Sequence, residues 1–217
     1  MSQLPGIEDR SVGFGFADMA YILQLESTRA SETSASWLRL ADETRDPGLV
    51  RAGLSSLIAR GLATVAPDLT VSFDTRLDVV AYTVANAERW TQLDLLDSAE
   101  TGDTVLHIES DKTKLLFQPR TMLAWFALPQ DPDVAPEAAQ SFVVREHLRE
   151  HAHGGVRIRT LGSMGPAELL VRREDSHWIC APVHGDIVGK HVVAPDETAL
   201  TGILSDLRVG EGIAANA

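Results

Sequence analysis

The chain has 217 residues, 44% of them hydrophobic and 23% charged, and a formal net charge of −12. That balance repels phosphate backbones and anionic membrane surfaces, so a nucleic-acid or lipid partner would need a local basic face. No run of about eighteen apolar residues could span a membrane, the first residues lack the apolar stretch of a secretory signal, and the single cysteine, Cys180, excludes an internal disulfide and fits a reducing cytoplasm.

In chain order, Met19, Ile22, Leu23 and Glu26 fall at helical spacing and predict a first helix over 14–29. Residues 31–37, SETSASW, read as a loop whose hydroxyls cap a short helix over 37–44. Asp46-Pro47 starts the next helix, with Asp at the cap and Pro at the first helical position. Its apolar face runs through Leu49, Val50, Leu54, Leu57 and Ile58, and Gly61 ends it. A short strand over 69–73 precedes a helix over 74–89 with the stripe Leu77, Val80, Ala81, Val84 and Ala87. Three strands follow, 90–96, 104–110 and 115–118, with Gly102-Asp103 and Ser110-Asp111 at their turns.

Pro119 opens a predicted short helix over 120–127 containing Met122, Leu123, Trp125 and Phe126. The stretch LPQDPDVAPEAAQ, with Pro129, Pro132 and Pro136, reads as a linker. A helix over 141–153 ends at Gly154-Gly155, and strands are expected at 156–161, 167–173, 178–183 and 187–193. Pro195 begins a final helix with Asp196 and Glu197 favouring its dipole. Leu200, Ile203, Leu204 and Leu207 form its buried face, and the tail 210–217 is expected to fray. The expectation is an α+β class built of two fused units, each an antiparallel meander packed against helices. The first covers 1–128 and is helix-rich at its start; a Pro-rich joint covers 129–140. The second unit, 141–209, holds a helix, a second antiparallel sheet and the C-terminal helix.

The stretch REHLREHAHGG contains H-x-x-E-H: His147, Glu150 and His151. Two histidines on one helical face and a carboxylate beside them are the raw material of a zinc hydrolase, given a third ligand. The acids that follow before the last helix, Glu168, Glu174, Asp175 and Asp186, fall on strands or turns, which leaves that third ligand unassigned. Histidines at a helix C-terminus are also expected from the dipole alone. The reading is therefore no catalytic residue, no metal and no cofactor, with His147, Glu150 and His151 as the metal alternative. His177, His184 and His191 alternate along strands, either gathered at one sheet end or as exposed strand positions. Cys180 in WICAPV reads as a buried, inert thiol. LGSMGP is a turn and not an anion cradle.

The segment over 35–65 has the order of a winged-helix DNA-binding module. In that reading 46–60 is the recognition helix, 62–65 the first wing strand, and Arg45 and Arg51 contact DNA. Over 29–65 five arginines (Arg29, Arg39, Arg45, Arg51, Arg60) face four acids (Glu32, Asp42, Glu43, Asp46), a small basic footprint.

Three strings stand out in this order of elements: the opening helix FADMAYILQLES, Arg60-Gly61-Leu62 after LSSLIA, and Val193-Ala194-Pro195-Asp196 leading into a leucine-rich last helix. Together they resemble the EspG family of actinobacterial type VII secretion chaperones. The resemblance spans most of the chain. It implies an α+β, cytosolic, non-enzymatic protein that holds secreted helical client pairs soluble. Such a protein needs an exposed apolar surface rather than a cleft. Trp125, Phe126 and Trp178 are the candidates for it, core packing being their other use. The expected partner is a protein client, with no membrane and no nucleic acid, and the winged-helix regulator is the alternative.

Overall fold

Asp46 begins the helix that the sequence marks most clearly. In a computed structural model describing residues 11–98, 101–120, 122 and 124–210, its carboxylate accepts from the N–H groups of Gly48 and Leu49 at 2.7 and 3.2 Å. Helix α3 (Pro47–Ala59) follows, and Gly61 closes it with φ +71°, a backbone that side chains with a Cβ resist. Asp46→Ala is expected to cost about 1 kcal/mol in urea unfolding, and Asp46→Asn much less.

The other helices are α1 (Phe16–Gln24), α2 (Arg29–Trp37), α4 (Thr75–Ala85), α5 (Pro136–Glu150) and α6 (Glu197–Val209). The strands are β1 (Val12–Phe14), β2 (Ala63–Val65), β3 (Val71–Phe73), β4 (Ala87–Leu96), β5 (Gly102–Ser110), β6 (Lys114–Arg120) and β7 (Ala124–Pro129). They continue with β8 (Gly155–Gly162), β9 (Gly165–Glu174), β10 (His177–His184), β11 (Ile187–Val188) and β12 (Val192–Ala194). The class is α+β: among the described residues there are six α-helices, a ten-stranded sheet whose described pairings are antiparallel, and the separate hairpin β2–β3. No helix among the described residues is long and apolar enough to cross a membrane.

The chain divides into two compact units, residues 1–88 with 106–130, and residues 89–105 with 131–217. In the first unit the strand order is β1-β7-β6-β5. Its helices are locked by specific polar contacts. Thr28 caps α2 and its hydroxyl donates to the Ala85 carbonyl at 2.6 Å, while Ser34 donates to the Val84 carbonyl at 2.9 Å. Arg60, just past α3, donates to the buried Asp18 carboxylate at 2.5 Å and to the Gly13 carbonyl at 2.6 Å. This accounts for Arg60-Gly61-Leu62 physically: an ion-pairing cation, a left-handed turn, then a buried leucine.

In the second unit the order is β4-β8-β9-β10-β11, with β12 also paired to β10. One sheet face carries Val156, Ile158, Leu169, Val171 and Cys180 against Val144 and Leu148 of α5 and Leu200, Leu204 and Leu207 of α6. Asp196 caps α6 through the Ala199 N–H. Fully burying each such leucine contributes about 1.5–3 kcal/mol, so this layer fixes where α5 ends.

Several expectations are corrected. The first helix stops at Gln24, and Phe14 belongs to β1. Residues 31–37 are helical, within α2, because small Ser31, Ser34 and Ala35 pack inward. Of the helix expected over 37–44, Trp37 ends α2, 38–42 are turn and coil, and a 3₁₀ turn follows at Glu43–Arg45. Residues 124–127 are strand, not helix: β7 lies between β1 and β6 and alternates buried Trp125, exposed Phe126, buried Ala127. The helix expected over 74–89 ends at Ala85 and Ala87 starts β4, and the strand expected over 187–193 is broken into β11 and β12 with 189–191 between them. Pro136 is the first residue of α5, so the proline-rich stretch is helical from there. Leu123 and residues 211–217 of the expected tail lie outside the described residues.

Candidate functional site

On the face of the second unit's sheet away from α5 and α6, Leu170, Arg172, Ile179 and Ala181 line a groove of about 570 Å³. Alternation explains its walls: residues 169, 171 and 180 point into the core, so 170, 172, 179 and 181 point out. Val188 and His191 close one side, and Leu96, Ser98, His153 and Gly154 form a rim. Val188 and Val193, opposite Val183 and Ile179 on this face, are 57% and 49% exposed, while Ile187, opposite His184, lies on the other face. This is an apolar, solvent-facing surface with few charges.

At the rim, the β4 and β8 register pairs Leu96 with Gly155. The turn after β4 therefore meets the end of α5. Gly154 permits the approach, since a Cβ there would stand 2.4 Å from the Leu96 carbonyl oxygen. His147 and His151, one turn apart, stack with ring centroids 4.8 Å apart. The His147 Nε2–H donates to the Leu96 carbonyl at 3.1 Å. Asp97 faces both rings, with its Oδ1 4.0 Å from His147 Nδ1 and 3.4 Å from His151 Nδ1.

The sequence motif is thus split. His147 and His151 converge, whereas Glu150 turns to solvent beside Arg149. The carboxylate that joins them is Asp97, about fifty residues upstream. Only the pairing of β4 with β8 brings it there, and no local spacing announces it.

The remaining predicted residues scatter. Trp125 is 8% exposed and Phe126 37%, with the Arg120 guanidinium over the Phe126 ring at 5.7 Å. Trp178 packs against the core of the second unit. His177 and His184 stand at opposite ends of β10 and do not gather, while His191 lines the groove. Ser163-Met164 is the tip of the β8–β9 hairpin. Arg45 and Arg51 are exposed, Arg45 pairing with Asp42 at 3.2 Å.

Cys180 is fully buried, and desolvation pushes its thiol up to about 12. Near pH 8 it holds on the order of a thousandfold less thiolate than a free cysteine. Ellman's reagent is expected to leave it untouched in native protein and to titrate it fully in guanidinium; rapid native labelling would contradict its burial.

The fold is similar to that of EspG5. This Mycobacterium tuberculosis type VII secretion system chaperone, solved in complex with the PE25–PPE41 dimer, matches with a TM-score of 0.53. The match covers 91% of this chain and 95% of that one, at 9% sequence identity. No family profile matches the sequence, and no curated protein matches it. The likeness to EspG5 is therefore one of fold: helices and antiparallel strands in an EspG-like arrangement.

Proposed function

We propose that this chain is a non-catalytic protein-binding factor of the cytoplasm, a chaperone for secreted helical client pairs of a type VII-like system. The likeness of fold to EspG5 over nine-tenths of the chain carries this reading. The apolar groove and the exposed Val188 and Val193 on the same face support it, because a helical client offers an apolar face for such a surface. Phe126 is a second candidate contact; Trp125 and Trp178 serve packing in this reading.

Affinity purification of the tagged protein from its native host is expected to return a stoichiometric complex with a small secreted helical pair. Ile179→Asp, on the groove wall, should abolish recovery of the pair while leaving the circular dichroism spectrum unchanged. Recovery of the protein alone, from cells that express such pairs, would defeat the proposal.

A second reading, a winged-helix DNA-binding regulator, is favoured by one observation: α3 leads directly into the hairpin β2–β3, where a wing would lie. Arg45 and Arg51 would then contact phosphates. Fluorescence anisotropy at about 50 mM salt should show duplex binding that weakens with added salt and with Arg51→Ala. No binding at that salt rejects it.

A further inference from the structure

The corner where the β4–β5 turn meets the end of α5 has the donor set of a transition-metal site. We propose that Asp97 Oδ1, His147 Nδ1 and His151 Nδ1 bind one divalent ion of the zinc class. The inference stands apart from the client-binding reading, and either can fail alone.

Three observations carry it. The first is convergence: each of the three residues offers one ligand atom, and these atoms lie within 4.8 Å of one another. Donors on a tetrahedral zinc stand about 3.3 Å apart, given bonds of about 2.0–2.1 Å. The Asp97–His151 separation of 3.4 Å already meets this, and the 4.0 Å to His147 closes with a small side-chain shift.

The second is tautomer. A backbone carbonyl can only accept, so the contact between His147 Nε2 and the Leu96 oxygen places the ring proton on Nε2. In a ring carrying its one proton there, Nδ1 is an acceptor 4.0 Å from the Asp97 carboxylate oxygen. Two acceptors so placed are satisfied by a cation between them, a proton or a metal ion. An imidazole whose far N–H is anchored to a carbonyl is also the usual support of a metal ligand.

The third is access. Asp97 and His151 side chains are 43% and 40% exposed, while His147 is buried at 7%, so the site has a fixed base and an open mouth. Nitrogen donors select zinc, cobalt, nickel or copper over magnesium and calcium. Glu150 contributes no ligand, because it faces solvent with Arg149.

Such an ion would join the last turn of α5 to the β4–β5 turn. Those segments supply Leu96, Ser98, His153 and Gly154 to the groove rim, so metal occupancy would stiffen that rim.

The test uses the untagged full chain, stripped with chelator and titrated with Zn²⁺ and then with Co²⁺. One equivalent of Zn²⁺ should bind and survive desalting, and Co²⁺ should give the visible bands of a low-symmetry nitrogen–oxygen site. Thermal unfolding should shift upward with Zn²⁺ and not with Mg²⁺. Asp97→Asn and His151→Ala, both at part-exposed positions, should each weaken Zn²⁺ binding by more than about 100-fold, beyond the loss of a mere supporting partner. His184→Ala should leave it unchanged. Nitrogen-15 NMR of the wild type should find His147 protonated at Nε2 and should move the Nδ1 signals of His147 and His151 on Zn²⁺ addition. Absence of stoichiometric binding, or binding that survives both variants, overturns the proposal and leaves a histidine–aspartate ion pair holding the helix end.

Discussion

Gly53→Ala is expected to destabilise the protein by about 3 kcal/mol, the upper range for overpacking, although alanine is the better helix former. On an exposed helix the exchange would stabilise by about 1 kcal/mol. Here Gly53 lies mid-way along α3, buried against α1, and a Cβ would stand 2.0 Å from the Ala17 carbonyl oxygen and 2.9 Å from Tyr21 Cβ. The obstacle is backbone, which cannot rotate away as a side chain can. Helix α1 must move off, and with it Asp18, whose carboxylate receives Arg60. Urea denaturation decides the sign: a midpoint equal to or above wild type would mean that the two helices are not in this close contact.

Leu148→Ala should cost about 3 kcal/mol, within the range for a buried leucine whose site only partly collapses. Leu148 is fully buried in the second unit's core, on the last turn of α5, between His147 and the stretch that ends at Glu150. The vacated volume lies under the segment that sets both imidazoles. Loss of less than about 1 kcal/mol would show that this turn is held from elsewhere. Differential scanning calorimetry measures the loss, and the expected outcome is a lowered midpoint with folding retained.

Much of this architecture follows from local chemistry. Asp46-Pro47 with Gly61, the alternation in β8 to β10, and the leucine stripe of α6 each specify their element without help from the rest of the chain. The segment around Trp125 does not. Its Met, Leu and Ala residues favour helix, but Trp125 and Ala127 gain burial only when β7 joins β1 and β6. Residues 31–37 err in the opposite direction: serines and threonines suit loops, yet their small size allows α2 to approach α4, where Ser34 and Thr28 bond the carbonyls at its end. The candidate metal corner was half legible. The two histidines share a helix face by spacing alone, while Asp97 joins them through the β4–β8 register, a long-range pairing with no nearby signature.

The outermost strands of the two units are brief: three residues in β1, and two and three in β11 and β12, which share β10 between them. Along that border Pro182 offers no N–H, and its carbonyl already accepts from the Gly189 N–H. A foreign polypeptide finds too few consecutive free amides and carbonyls there to extend the ladder, which guards against fibrillar stacking. A client of the kind proposed is then expected to be held through side-chain complementarity, its shape and polarity counting for more than its main chain.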